Sequence, residues 1–268
     1  MGAARIFDIH CHLGPWLRAE ELLGLMDAAG VEQAAVFPCP SVWSLPNPDN
    51  HYNTNDYIAE AQGRYPDRLI GFACLNPQYT GDTGTGMPNL AVREARRALV
   101  ELGLCGVKLH PEVHCFTVGS LVGSELMGAL AAIQEERGRP LPVLCHGMTT
   151  MGAMPEQFAA LAARYPSLPI IIAHGGGFQN LYFTSIAPVA QHANLYVDLA
   201  MTTIDDLHLV NVAKTIGVDK VLFGTDHFAR PQTNLYRNFL FVLEGAFPNP
   251  EERAKVLGGN ARRVLGIG

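Results

Sequence analysis

Charged residues are scarce in this chain: Asp, Glu, Lys and Arg make up 16% of its 268 residues. Basic residues are the minority among them, 19 against 25 acidic, for a net charge of −6. Nucleic-acid binders carry a basic face, so that class of partner is not expected. No run of 18 apolar residues occurs, which leaves no candidate membrane span. No hydrophobic leader precedes the first strand-like run, since Met1-Gly-Ala-Ala-Arg5 opens directly onto it, and the expected compartment is the cytoplasm. Cysteine occurs at 11, 39, 74, 105, 115 and 145 but never as Cys-x-x-Cys, so reduced thiols are expected rather than a disulfide frame or a structural zinc site. Also missing are a Pro/Ser-rich linker and the Gly-Lys-Ser/Thr ending that would make Gly81–Gly86 a phosphate loop. Residues 1–268 therefore read as one domain.

Apolar residues, by contrast, make up 48% of the chain, ample for a core. Short β-branched runs alternate with segments of helical period. The strand candidates are Ile6–His10, Gln33–Phe37, Leu69–Leu75, Cys105–His110, Pro142–His146, Ile170–His174, Leu195–Leu199 and Lys220–Gly224. Helix candidates lie between them at Glu20–Ala29, Asn55–Arg64, Leu90–Leu102, Glu125–Arg137, Pro155–Arg164, near Leu181–His192, and at Ile204–Ile216. Leu235–Phe247 and Glu251–Leu265 follow. Gly30, Gly103, Gly138 and Gly217 stand where helix C-caps belong. Eightfold strand–helix alternation suits an open doubly wound sheet or a closed parallel (β/α)8 (TIM) barrel.

The polar residues that end these strands favour the barrel. His10 and His12 are two apart on one strand and share a face, so both imidazoles can reach one cation. His146, His174 and Asp226 close later apolar runs, and only in a barrel do the ends of strands 1, 5, 6 and 8 converge on one mouth. A lone histidine closing a strand is commonly just a satisfied polar residue. Four of them and an aspartate on one rim point to a metal site. His10, His12 and His146 are the expected ligands. Asp226 holds a water and carries its proton, and His174 orients that water or binds a second metal. Alternation turns Cys11 and Cys145 away from the metal. Lys108 and His110 share a face of strand 4 and are expected to reach substrate, whereas His227 faces elsewhere. In the loops after strands 1, 2, 6 and 8, Trp16, Trp43, Phe178 and Phe228 are candidates for walling a cyclic substrate, and Arg18 and Arg230 for gripping a carboxylate. The Pro38–Asn53 stretch reads as a wall or lid.

Phe7-Asp-Ile-His-Cys-His-Leu-Gly14, Gly106-Val-Lys-Leu-His-Pro111, Val143-Leu-Cys-His146, Ile172-Ala-His-Gly-Gly176 and Phe223-Gly-Thr-Asp226 together resemble the amidohydrolase superfamily. More narrowly, they resemble its amidohydrolase-related group of small metal-dependent hydrolases and aminocarboxymuconate-semialdehyde and resorcylate decarboxylases. The tail Val256-Leu-Gly-Gly-Asn-Ala-Arg-Arg-Val-Leu-Gly266 is similar to that group's closing helix, and the likeness runs from Ile6 to about Ile267. The resemblance implies a metal-capped barrel, metal roles for His10, His12, His146 and Asp226, and His174 beside the water. In two-metal members a carboxylated lysine ending strand 4 bridges the ions. Lys108 lies in that strand, so two ions are expected if it is carboxylated and one, zinc foremost, if it anchors substrate instead. The expected reaction is hydrolysis of a small amide, ester or lactone. The alternatives are decarboxylation of an aromatic or unsaturated acid, a silent metal-binding scaffold, and a metal-dependent nuclease, for which the acidic balance is unsuitable. The expected partner is a small molecule, with a homodimer as the oligomer to test.

Overall fold

The computed structural model describes residues 5–39, 48–78, 89–147, 152–176, 182–200, 213–227 and 235–268, with the backbone alone described at 48–53 and 182–186. Residues 40–47 of the lid candidate, the Gly81–Gly86 stretch, most of Ile204–Ile216, and Trp43, Phe178, Phe228 and Arg230 lie outside these residues, while the end of the lid candidate, 48–53, opens the helix Pro48–Arg64.

Eight parallel strands pair in sequence order: β1 (Ile6–Leu13), β2 (Val31–Pro38), β3 (Leu69–Cys74), β4 (Gly106–Leu109), β5 (Val143–Cys145), β6 (Ile170–Ile172), β7 (Leu195–Asp198) and β8 (Val221–Leu222). The sheet curls until β8 meets β1. That seam is held by the Cys11–His227 bridge and by backbone bonds from Ile9 N to Phe223 O (3.0 Å), Asp226 N to His10 O (2.8 Å) and His12 N to His227 O (2.7 Å). The fold is a (β/α)8 barrel, as the strand–helix alternation implies.

Two apolar layers hold it together. Phe7, Ile9, Ala35, Phe37, Phe72, Leu144, Ile171 and Leu222 fill the barrel, and the closing helix Asn260–Leu265 plugs its lower end with Ala261, Val264 and Leu265. A larger layer, which includes Cys11, Val36, Val107, Val143 and Cys145, packs the outer faces of the strands against the helices. This alternation turns Cys11 and Cys145 away from the barrel interior, and none of the six cysteines is in a disulfide. Helix Ala19–Ala29 stops at Gly30 and helix Glu125–Arg137 at Gly138, both with left-handed φ (70° and 61°), a conformation that glycine adopts without a Cβ penalty.

β1 breaks the alternation. Asp8 pairs with Ala34 and Cys11 with Val36, so Ile9 and His10 together oppose Ala35. This is a β-bulge, which adds one residue to a strand and re-aims those that follow. Phe7 and Ile9 therefore fill the barrel while His10 and His12, of opposite parity, also face inward. Asp8 is left facing outward.

Candidate metal centre

The ligand candidates occupy different backbone settings. His10 and His12 lie within β1, which continues to Leu13 rather than stopping at His10. His146 follows β5 directly. His174 sits beyond the end of β6 in a tight turn with φ 58°, and Asp226 lies four residues past the short β8 with φ 59°. Left-handed backbone at a residue other than glycine stores strain and tends to occur where a side chain must be aimed. Here it turns two strand-end side chains back over the mouth.

Asp226 Oδ1 stands 3.0 Å from His12 Nε2 and 3.3 Å from His10 Nε2. The far side of each ring determines its protonation. Asp198 Oδ2 accepts from His10 Nδ1 at 2.8 Å, Pro38 O from His12 Nδ1 at 3.1 Å, and Ala200 O from His174 Nδ1 at 2.9 Å. An ionised carboxylate or a carbonyl only accepts, so in the neutral rings Nδ1 carries the hydrogen and Nε2 the lone pair. His174 Nε2 then accepts from His146 Nδ1 at 3.0 Å, which leaves His146 with its own Nε2 lone pair, buried and 3.5 Å from Glu112 Oε2. In the neutral rings the lone pairs of His10 and His12 thus face the Asp226 carboxylate, an arrangement that a cation completes.

Two groups of three donors, each group within 4.8 Å, occur among the described residues: His10, His174 and Asp226, and on the rim His110, Glu112 and His146. His110 stacks on His146 with ring centroids 3.9 Å apart. His146 thus joins the first group through His174 and the second directly. Lys108 is fully buried, with Nζ 3.1 Å from His10 Nε2 and 4.9 Å from the centre of the Phe37 ring.

Burial drives most of the titration behaviour. It pushes His174 down to about 4 and His110 down to about 2, and it lowers His12 and His146 as well, so these rings stay neutral and ready to ligate. At His10, burial and Lys108 oppose a proton, yet Asp198 and Asp226 outweigh them and raise its pKa. Asp226 is held well below the usual carboxylate range: burial opposes this, but His10 and His12 prevail. Burial lowers the Lys108 ammonium.

Trp16 lies in the turn after β1 and is 45% exposed. Arg18 lines a cavity of about 300 Å³ at the same end, with Leu13, Pro15, Pro38, Thr54 and Tyr57. His227 faces out of the barrel, its ring 4.7 Å from that of Tyr236.

Three acidic residues of the site escaped the sequence reading. Asp198 ends β7 as Leu-Tyr-Val-Asp, the same apolar-run-then-ligand pattern that marked the histidines, so its signal was there to find. Strand alternation alone would put Asp8 beside His10, and only the bulge moves it outside. Glu112 comes from an irregular turn after β4 and carried no signal.

A family model described as amidohydrolase matches residues 7–267. The chain belongs to the amidohydrolase family. Solved structures similar to this amidohydrolase include 5-carboxyvanillate decarboxylase from Sphingomonas paucimobilis (14% identity, 99% of this chain and 100% of that one, TM-score 0.71). Another is dihydroxybenzoic acid decarboxylase from Polaromonas sp. JS666, with bound manganese and 2-nitroresorcinol (18%, 99% and 97%, TM-score 0.69). A third is 4-oxalomesaconate hydratase from Rhodopseudomonas palustris (19%, 97% and 95%, TM-score 0.69). At these identities the likeness establishes the shared barrel. No helix among the described residues is long and apolar enough to cross a membrane.

Proposed function

We propose that this amidohydrolase-family protein is a metal-dependent hydrolase of a small amide, ester or lactone. The observation that carries this reading is the convergence of His10 Nε2, His12 Nε2 and Asp226 Oδ1, with the carboxylate oxygen 3.3 Å and 3.0 Å from the two ring nitrogens. Such a set of imidazole and carboxylate donors suits a divalent cation, zinc foremost, with His146 completing the set as the family resemblance implies. When bound, the cation supplies Lewis acidity for a carbonyl and lowers the pKa of water towards about 7. Asp226 takes the proton of the attacking water at its carboxylate and returns it to the leaving group. His174 orients that water. Lys108 and His110 meet substrate inside the barrel mouth and Arg18 and Trp16 at its edge, while Trp43 and Arg230 are assigned to substrate from the sequence alone.

Decarboxylation is the second reading, favoured by the two decarboxylases among the structures above. In that reaction the bond from carbon to the carboxyl group breaks, CO2 leaves, and Asp226 or a histidine passes to that carbon a proton taken up from the substrate's acid group or from solvent, with no water consumed.

The deciding experiment is turnover in ¹⁸O-labelled water of zinc-loaded protein against small lactones, esters and carboxylated phenols. One ¹⁸O in the product acid supports hydrolysis; CO2 release from a phenolic acid supports the second reading. About one metal per chain by elemental analysis, retained in Asp226→Asn while turnover falls by about 10²–10⁴, supports the assigned proton carrier. A protein that takes up no metal under any loading condition overturns both readings.

A further inference from the structure

Asp8 is fully buried on the outer side of β1, beneath the helix Leu235–Ala246 and away from the barrel interior where His10, His12 and Asp226 meet. Its Oδ1 accepts from His10 N (3.0 Å) and from Thr225 N (3.1 Å). Its Oδ2 accepts from the Thr225 hydroxyl (2.5 Å) and the Cys11 thiol (3.1 Å). Because Thr225 gives its hydrogen to Asp8, His227 Nδ1 donates to Thr225 Oγ1 at 3.1 Å, while His227 O accepts from His12 N at 2.7 Å. The Tyr236 hydroxyl stands 3.6 Å from the Cys11 sulfur and closes the cluster from the helix side.

A bulge leaves backbone N–H groups that the strand ladder does not satisfy, and buried donors require partners. The bulge at Ile9–His10 frees the N–H of His10, and β8 ends before Thr225, freeing that N–H too. One carboxylate takes both. The network thus reaches three of the site's residues: His10 through its own N–H, Asp226 through its neighbour Thr225, and His12 through the carbonyl of His227.

We propose that Asp8, working with Thr225, is a positioning residue that sets the separation of His10, His12 and Asp226 from outside the barrel and thereby tunes cation affinity, without touching substrate. This rests on the metal reading above. The test uses cobalt(II) as probe on the full chain, with affinity by calorimetry, the visible ligand-field spectrum, and the thermal midpoint of the metal-free protein. In Asp8→Asn the amide nitrogen cannot accept the Thr225 hydroxyl. This variant is expected to bind cobalt about tenfold or more weakly, with a changed spectrum, as loss of a ligand-orienting partner does. Thr225→Val is expected to follow it, and Thr225→Ser, which keeps the hydroxyl, to restore wild-type affinity and spectrum. Should Asp8→Asn fail to fold, the Val and Ser pair decides alone. Wild-type cobalt affinity and spectrum in a folded Asp8→Asn or Thr225→Val, even with a lowered thermal midpoint, would mean a merely structural cluster and overturn the inference. A wild-type protein that binds no cobalt would remove the metal reading and this inference with it.

Discussion

Asp198 acts on two histidines at once. One oxygen accepts from the ring of His10, and the other accepts from the backbone of His174 at 2.9 Å and of Ala200 at 3.0 Å. The ring bond keeps the His10 lone pair on Nε2, facing Asp226. In Asp198→Asn, a side-chain amide placed against the His10 N–H sets donor against donor and favours the wrong tautomer. Cation affinity is expected to fall about 10–100-fold in this variant, which competition against a chromophoric chelator would measure. Lys108 acts in the opposite sense, since its ammonium lies 3.1 Å from the nitrogen a cation would use. With one ion per chain, Lys108→Met is expected to keep that ion and bind it more tightly. Loss of an ion in elemental analysis would instead identify Lys108 as a carboxylated ligand.

The elements differ in how far their form could be read from sequence. The eight strands and most helices follow from apolar periodicity and glycine caps, because those signals are local. The grouping of His10, His12, His174 and Asp226 was legible because polar residues ending buried runs are unusual. The bulge was not. It depends on pairing with β2 and on Asp8 satisfying the freed N–H groups, and neither is visible within β1 alone. The left-handed turns at His174 and Asp226 were hidden for a similar reason: tertiary contacts impose them on residues that do not otherwise require them. Glycine has a different use inside β4. A Cβ on Gly106 would stand 2.6–2.7 Å from three atoms of the Phe72 ring, which fills the barrel one layer below Lys108. Gly106→Ala is therefore expected to cost about 1–3 kcal/mol through overpacking, read as a lowered denaturant midpoint with unchanged slope.

At the scale of the whole molecule, the buried histidines tie stability to pH. His174 is held to about 4 and His110 to about 2 by burial, with His12 and His146 also lowered, whereas each returns to roughly 6.5 on unfolding. Between those limits the unfolded chain binds protons that the folded one refuses. The stability these groups contribute is thus fully present above about 6.5 and drains away as pH falls towards their folded values. For His174 that window runs from about 6.5 down to about 4, at up to about 1.4 kcal/mol per pH unit. His10 runs the other way: its pKa is raised, so its contribution is fully present below about 6.5 and is lost only as pH rises above that value, outside the acid range where the other four act. Urea midpoints of the metal-free protein are therefore expected to fall steadily from pH 7 to pH 4.5. A saturating cation should steepen that fall, because it binds only the deprotonated rings of the folded state and stabilises that state by mass action. Midpoints that stay level across the range in metal-free protein would mean that these rings are solvated and protonate freely in the folded state, a site too open to exclude competing protons from the ligands.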